Sequence, residues 1–203
     1  MSNLPNTSST GGYLLPQTPY PMDDETLDIF LQNLVVGITG MPGNLVRARW
    51  QSTIPQQPPV TTNWCAIGVV SETPDDGPWI DYDPNNLVGI YTRHTDLEVL
   101  STFYGPTAKQ NCAILRDGLA IPQNCEVLRA NVMDYVSCGR IQHAPEFVNQ
   151  QWINRCDMTL NLRRKVTRDY QTNYLAAAEI VLTDDTGKVN DTILIPPGSP
   201  WSP

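Results

Sequence analysis

Apolar residues near the start of the chain recur at intervals of three and four positions, as they do on one face of an α-helix. The residues of this stripe are Leu27, Phe30, Leu31, Leu34, Val35 and Ile38. Asp23 and Asp24 lie where an N-cap residue is expected, and Gly40 lies where such helices end. The pattern therefore predicts an amphipathic helix whose N-cap is Asp23 or Asp24 and whose end is at Gly40.

Residues 44–51 alternate between two sets of side chains, as expected of a β-strand. The alternation places Arg47 and Arg49 on one face and Val46 and Trp50 on the other. It therefore predicts a strand that presents two arginines side by side on a single face.

Four other segments have the composition of strands. Residues 63–72 are mostly apolar and predict a strand that is buried on both faces near its middle. In residues 97–104 the odd-numbered side chains point to one face of the predicted strand and the even-numbered side chains point to the other. Residues 133–141 predict a further strand, and residues 174–183 predict the last strand of the core.

Three segments between these strands are rich in residues that interrupt strands, and we interpret them as loops. They are residues 54–60, 73–86 and 142–151. Proline cannot donate to a sheet ladder, and Asn, Asp and Gly favour turns. The aspartates of the middle segment lack the register of an EF-hand, so we expect no calcium site there.

The segment from residue 152 to residue 170 predicts one long strand with a core face and a solvent face. The core face carries Trp152, Cys156, Met158, Leu160 and Leu162, and the solvent face carries Arg155, Asp157, Thr159, Asn161 and Arg163. The end of the strand has a basic run of four cations, Arg163, Arg164, Lys165 and Arg168. Two interpretations of this run stay open: a solvated hairpin tip, or a basic knob that meets an acidic surface of another subunit.

Residues 105–109, Gly-Pro-Thr-Ala-Lys, join the strand at 97–104 to a second helix. Its apolar stripe is Ala108, Cys112, Leu115 and Leu119, with Gly118 as the expected stop. A glycine between a strand and a helix also occurs in phosphate-binding loops. A Walker A loop, however, needs a second glycine and a Ser or Thr after its lysine, and Pro106 lacks an amide that a phosphate would bind. The joint therefore predicts a turn of the chain and not a nucleotide site.

The order of these elements predicts an α+β fold: a single domain with one twisted, mostly antiparallel sheet. Two or three helices pack on this sheet, the third being a short segment at residues 123–132. We expect the core at residues 23–183, an extended N-terminal arm at residues 1–22 and a C-terminal arm at residues 184–203. The arms are too polar to fold alone but carry apolar anchors, namely Tyr13, Leu14, Leu15, Ile193 and Trp201. We therefore expect the arms to lie on neighbouring subunits.

Composition and residue spacing argue against several classes of function. The 203 residues carry a formal net charge of −8, which disfavours stable binding of nucleic acid. Five cysteines lack the spacing of a zinc site, and we expect them to be reduced. His94 and His143 have no nucleophile placed beside them. We therefore expect no catalytic site, cofactor or metal, and no membrane contact, since no apolar stretch approaches about 20 residues.

Four stretches of the chain form a familiar series: MPGNLVRARWQ, NWCAIGVV, LEVLSTFYG and NQQWINRCDMTLNL. Together they resemble the phage neck terminator proteins of tailed bacteriophages. The resemblance extends over residues 23–182 and leaves both ends of the chain outside it.

The resemblance implies a virion protein of α+β fold that forms a ring, usually a homo-hexamer, at the junction of head and tail. Such a ring stops polymerisation of the tail tube or sheath and joins the tail to the head-tail connector or adaptor proteins. Genomic DNA would pass through its lumen without stable binding, and the ring would be assembled in the host cytoplasm.

Under this interpretation, the charged residues of the strands are candidates for contacts between subunits or rings. They are Arg47, Arg49, Arg155, Asp157, Arg163, Arg164, Lys165 and Arg168, together with the anchors of the arms. Two alternatives stay open: another neck, collar or head-completion protein of the virion, or an enzyme with no recognisable motif.

Overall fold

The computed structural model of the protein describes residues 13–51, 53, 55–83, 86, 88–148 and 150–172, together with the backbone of 178–183 and 189–195. The described residues contain three α-helices and two short 3-10 turns. The helices are α1 (Asp24–Thr39), α2 (Ala108–Leu119) and α3 (Glu126–Ala130), and the turns are Gly43–Leu45 and Pro122–Cys125. The three helices predicted from the sequence are therefore present, the third of them short.

Eleven strands accompany these helices in the described part of the chain. They are β1 (Val46–Ala48), β2 (Trp64–Pro74), β3 (Trp79–Asp83), β4 (Val88–Tyr104), β5 (Met133–Cys138), β6 (Gln142–His143), β7 (Glu146–Val148), β8 (Gln151–Ile153), β9 (Arg155–Tyr170), β10 (Ala178–Thr183) and β11 (Val189–Ile195). The main sheet has the order β1-β2-β4-β9-β5, with β3 paired to β4 and β6 paired to β9. Among the strand pairs of this sheet whose register is described, β1–β2 is parallel and the others are antiparallel. The expected α+β fold with a mostly antiparallel sheet is confirmed.

The chain divides into two compact units. The larger unit comprises Tyr20–Trp79 and Thr92–Val166 and contains α1, α2 and α3. The smaller unit comprises Met1–Pro19, Ile80–Tyr91 and Thr167–Pro203, and its described residues include the antiparallel pair β10–β11. The expected boundaries of the two arms stay predictions, although β11 lies within the segment expected as the C-terminal arm.

Within the smaller unit, the described part of the N-terminal segment binds the end of β9. The amide of Gln17 donates to the carbonyl of Asp169 at 2.8 Å, and the amide of Asp169 donates to Oγ1 of Thr18 at 3.3 Å. The rings of Tyr91 and Tyr170 meet edge to face with centroids 5.2 Å apart.

The core of the larger unit lies between the helices and one face of the main sheet. From α1 it contains Leu27, Leu31, Leu34 and Val35, with Phe30 and Ile38 partly buried against them. From β2, β4 and β9 it contains Cys65, Ile67, Leu97, Val99, Phe103, Cys156, Met158, Leu160 and Leu162. The strand residues are alternate ones, so the other face of the sheet is directed away from the helices. The stripe predicted on α1 and the alternation predicted from residue 97 to residue 104 are confirmed.

Helix α1 begins and ends where the sequence predicts. Asp23 is its N-cap residue and has an extended backbone. Gly40 has a φ of 71°, and its amide donates to the carbonyl of Val36 at 2.9 Å. This left-handed conformation is open to glycine at little steric cost, which explains why the helix ends at this residue.

Gly118 does not end α2, contrary to the prediction. The helix continues to Leu119, and its C-cap residue Ala120 has a right-handed backbone. A Cβ built on Gly118 would lie only 2.3 Å from Cγ2 of Ile38 in α1. Glycine therefore lets α1 and α2 approach closely, which is a reason that the local sequence does not reveal.

Two of the predicted loops contain strands. Residues 73–86 include the end of β2 and all of β3, and residues 142–151 include β6, β7 and the start of β8. Trp79, Ile80 and Phe147 on these short strands are exposed. A strand without a buried face lacks the alternation that identifies strands in a sequence, and pairing of its backbone with a neighbouring strand defines it instead.

The prediction that Trp152 faces the core is wrong. The predicted long strand breaks at Asn154 into β8 and β9, and Trp152 on β8 is 69% exposed. It stands opposite Phe147 of β7, with ring centroids 5.1 Å apart. Ile153 is buried in its place, because the break shifts the alternation by one residue.

Candidate functional site

The outer face of the main sheet, opposite the helices, carries a stacked pair of aromatic rings. Trp64 of β2 and Tyr104 of β4 lie directly opposite each other across the two strands. Their ring centroids are 4.1 Å apart and the ring planes differ by 6°. Their neighbours Cys65 and Phe103 belong to the core, so alternation directs the pair away from it. The pair forms a flat apolar wall on the outer face.

Two arginines of the β1 edge lie beside this wall. The guanidinium carbon of Arg47 lies 5.9 Å from the ring centroid of Trp64, and its Nη1 donates to the carbonyl of Gln56 at 2.9 Å. Arg49 donates from Nη2 to Oγ1 of Thr102. Nε of Arg49 is buried and has no hydrogen-bond partner among the described residues. The sequence places both arginines on one face, and the structure brings both to this wall.

These side chains line an open cleft of about 330 Å³, which we call the arginine cleft. Its lining residues are Arg47, Ala48, Arg49, Gln51, Pro55, Gln57, Trp64, Ala66 and Tyr104. No described carboxylate lies within ion-pair distance of either arginine. A guanidinium presents planar donors that match a carboxylate, and the aromatic wall suits the apolar stem of a side chain. The cleft can therefore hold an acidic side chain of a protein partner.

A third arginine adjoins the wall but is neutralised within the chain. Arg155 donates to Asp157 through two hydrogen bonds, Nε to Oδ1 at 2.9 Å and Nη2 to Oδ2 at 2.8 Å, and it also pairs with Glu146. Its guanidinium carbon lies 5.9 Å from the ring centroid of Tyr104. Burial raises the pKa of Tyr104, so this phenol stays neutral. Arg155 and Asp157 thus lie on the outer face as one half-buried ion pair, not as two free charges.

The basic run on β9 is divided between the two faces of the strand. Arg163 and Lys165 are exposed, and Nε of Arg163 lies 3.6 Å from Oδ1 of Asp96. Arg168 lies further along β9, half-buried and in contact with other groups of the protein. We call Arg163 and Lys165 the basic tip, because these two cations of the run are accessible to a partner.

Arg164, named from the sequence as a candidate for contacts between subunits, does not face outward. Its side chain is only 10% exposed. Nη1 donates to Oδ1 of Asp23 at 2.6 Å and to the carbonyl of Met22 at 3.0 Å, and Nη2 donates to Glu72 at 2.9 Å. Arg164 has the same parity along β9 as the core residue Leu162, so the alternation of the strand already contained this signal. We therefore remove Arg164 from the candidate interface residues.

The predicted anchors of the two arms are only partly described. Tyr13 and Leu15 are exposed, and Leu14 is half-buried. The backbone of Ile193 lies in β11, and Trp201 lies outside the described residues. Contact of these anchors with neighbouring subunits stays a prediction.

The joint between β4 and α2 turns the chain, as predicted. Gly105 has a φ of 104°, and a Cβ built on it would lie 2.6 Å from the carbonyl oxygen of Thr62. The amide of Gly105 donates to the carbonyl of Asn154 at 3.0 Å, and the amide of Thr107 donates to Oδ1 of Asn63 at 2.8 Å. Both amides therefore have partners within the chain, as expected of a structural turn.

One cysteine–histidine contact was not visible in the sequence. His143 of β6 stands opposite Cys156 of β9, and Sγ lies 3.4 Å from Nδ1. Burial raises the pKa of Cys156, which favours the protonated thiol over the thiolate that a nucleophile requires. No group of three or more potential metal ligands occurs among the residues that the structure describes. We assign this contact no chemical role.

A group of carboxylates lies on the helix side of the sheet, near the edge formed by β1. Asp24, Glu25 and Asp28 of α1 line a groove together with Trp50, which is 61% exposed. We call these three carboxylates the acidic patch. Burial and the charge of Asp24 raise the pKa of Asp28. No described cation lies within ion-pair distance of the three carboxylates, so no ion pair among the described residues offsets the repulsion between them.

Comparison with known families decides the identity of the chain. The family model described as phage neck terminator protein matches residues 25–190 of the 203. The chain belongs to the phage neck terminator protein family. A search of curated proteins returns no significant match.

Membership of this family makes the chain a structural protein of the phage neck and a component of the virion. It also implies contact with other neck or tail proteins. The matched range includes the arginine cleft, the basic tip, and Glu25 and Asp28 of the acidic patch. Among its described helices, none is long and apolar enough to cross a membrane.

Proposed function

We propose that this terminator forms a homo-hexameric ring at the head-tail junction, where it ends the tail tube or sheath and joins the tail to the head connector. The observation that carries the proposal is the family match over residues 25–190. The ring is assembled in the host cytoplasm and then becomes part of the virion. Its partners are further copies of itself, the tail tube and sheath proteins, and the connector or adaptor proteins.

The described surfaces of the chain suit a protein that acts by binding other proteins. The arginine cleft and the acidic patch both lack counter-charges within the described residues, and Trp50 and Trp152 are exposed. Arginines and exposed aromatic residues are enriched at interfaces between proteins. We infer that the terminator acts through these surfaces and catalyses no reaction.

The net charge of −8 suits a ring that surrounds DNA without retaining it. Stable binding of DNA requires cations that displace the counterions of many phosphates. A channel built from an acidic chain provides few such cations, so the genome passes through the lumen without being held.

The test is a nonsense mutation of the gene in a phage that carries it, followed by electron microscopy of the products. We expect heads and tails that are not joined, with tubes or sheaths of irregular length, and complete particles when the wild-type protein is supplied in trans. Complete, joined particles in its absence would overturn the proposal. Unjoined heads with tails of normal length would instead indicate a head-completion role.

The mass of the assembled protein under native conditions tests the ring. Six copies support the hexamer, whereas twelve copies would indicate a connector-like ring and contradict it.

A further inference from the structure

We propose that the acidic patch of one copy of the terminator occupies the arginine cleft of the adjoining copy. The inference rests on the proposed function, because it names the residues through which the copies of a ring join. The occupant of the cleft is the first turns of α1 of a second copy. Glu25 and Asp28 of that copy supply carboxylates to Arg47 and Arg49.

The positions of the two groups favour a contact between copies over a contact within one copy. The arginine cleft lies on the outer face of the sheet, whereas the acidic patch lies on α1, which packs on the opposite face. Ala48 and Gln51, at the β1 edge, line both. No ion pair joins the two groups, all of whose members the structure describes. If two copies overlap so that the outer face of one sheet packs against the helices of the next copy, the arginine cleft of the first copy meets the acidic patch of the second.

Charge complementarity identifies the occupant. Arg155 and Arg164 have carboxylate partners in their own chain, whereas Arg47 and Arg49 have none among the described residues. Arg47 and Arg49 are half-buried and line the cleft, so part of each side chain remains accessible to a carboxylate from outside. A carboxylate from the next copy supplies the counter-charge that these two arginines lack and also relieves the repulsion within the acidic patch of the copy that donates it.

An apolar residue lies between the two charged groups. Trp50 lines the acidic groove, and its ring lies 6.0 Å from the guanidinium carbon of Arg49. Interfaces commonly bury an aromatic residue at their centre and keep charged groups around it. Overlap of two copies at this edge covers Trp50, so the contact combines apolar burial with opposite charges.

The test is a charge swap between two variants of the full chain. Arg47→Glu with Arg49→Glu makes the cleft acidic, and Glu25→Lys with Asp28→Lys makes the patch basic. Self-association is measured by sedimentation and native mass spectrometry. We expect each double variant to associate about tenfold or more weakly than wild type, which corresponds to about 1.4 kcal/mol or more. An equimolar mixture should associate again, because the acidic cleft of one variant meets the basic patch of the other.

Matched controls reverse exposed charges elsewhere on the chain. Arg116→Glu with Arg129→Glu controls for the cleft variant, and Asp117→Lys with Glu126→Lys controls for the patch variant. Both controls should associate like wild type. Circular dichroism establishes that each variant is folded. If the cleft variant fails to fold because Arg49 no longer binds Thr102, the patch variant and the salt dependence of wild-type association still test the contact.

Three results would overturn the inference: unchanged association of a folded double variant, a mixture that does not associate again, or a wild-type chain that stays monomeric. The first two results leave the proposed function untouched, because its test depends on particles formed without the gene product. A monomeric wild-type chain would also count against the proposed ring, whereas the microscopy of heads and tails tests the role at the junction independently. A terminator that joins heads to tails but assembles through other residues would refute only the contact proposed here.

Discussion

The guanidinium of Arg164 and the carboxylate of Asp23 form an ion pair of 2.6 Å that joins β9 to the N-cap of α1. The same guanidinium binds Glu72 of β2 at 2.9 Å, so one buried arginine connects three elements of the larger unit. A charged side chain is stable in the interior only when its donors find acceptors. The two carboxylates and the carbonyl of Met22 provide them for Nη1 and Nη2, whereas Nε is buried with no hydrogen-bond partner among the described residues.

Replacing Arg164 by methionine is expected to lower the free energy of unfolding by about 1–3 kcal/mol. Methionine fills a similar volume but leaves Asp23 and Glu72 without their shared cation. Both carboxylates are partly exposed and can regain water, which favours the lower half of this range. Urea denaturation followed by circular dichroism measures the change.

The control for this prediction is the same substitution at the neighbouring residue. Arg163 is 53% exposed and forms only a loose ion pair at 3.6 Å. Arg163→Met should therefore change the free energy of unfolding by about 0.5 kcal/mol or less. Equal losses from the two substitutions would show that the buried ion pairs of Arg164 contribute nothing specific.

Gly118→Ala is expected to destabilise the protein although alanine is the better helix former. The helix preference favours alanine by about 1 kcal/mol. The new Cβ, however, would lie 2.3 Å from Cγ2 of Ile38, and overpacking of this kind costs about 1–3 kcal/mol. Gly37→Ala is the matched control, because nothing lies within 4 Å of a Cβ built there, and it should raise the melting temperature.

A second substitution separates packing from backbone effects at Gly118. Ile38→Ala removes the methyl group that the new Cβ would meet. In that background, Gly118→Ala should be neutral or stabilising, and a double-mutant cycle measures the difference. If the two substitutions are additive, the close approach of α1 and α2 is not the reason for the glycine.

Alkaline pH is expected to destabilise the folded protein. Burial raises the pKa of Cys112 from 9.0 to about 12. Above pH 9 the thiolate therefore forms first in the unfolded chain, which favours unfolding. The contribution of this thiol to stability is constant below pH 9 and decreases as the pH rises toward 12. Denaturation at several pH values in this window should show the decline, with a smaller slope in Cys112→Ala, and equal slopes would contradict the assignment.

The basic tip is expected to act in joining and not in folding. Arg163→Glu with Lys165→Glu should block the joining of head and tail while leaving the melting temperature of the isolated subunit nearly unchanged. Junctions held by exposed charges should also weaken at high salt, because the Debye length falls to about 3 Å at 1 M. Complete, infectious particles containing the double variant would show that the tip is only a solvated surface.

The sequence by itself determined the elements whose pattern repeats within a few residues. The stripe from Leu27 to Ile38 and the end of α1 at Gly40 were predicted correctly, as was the turn at Gly105. Each of these features depends on local backbone geometry or on the spacing of apolar residues along a short segment. That segment is therefore enough to predict the feature. The α+β fold with a mostly antiparallel sheet was also predicted correctly, from the order of these segments along the chain.

Only the tertiary structure decided which distant side chains meet. Trp64 and Tyr104 are far apart in sequence, and the register between β2 and β4 stacks them beside the arginine cleft. The break at Asn154 reverses the exposure of Trp152, and the approach of two helices explains Gly118. Strand register and helix packing are set by the core as a whole, so no local pattern could encode these contacts.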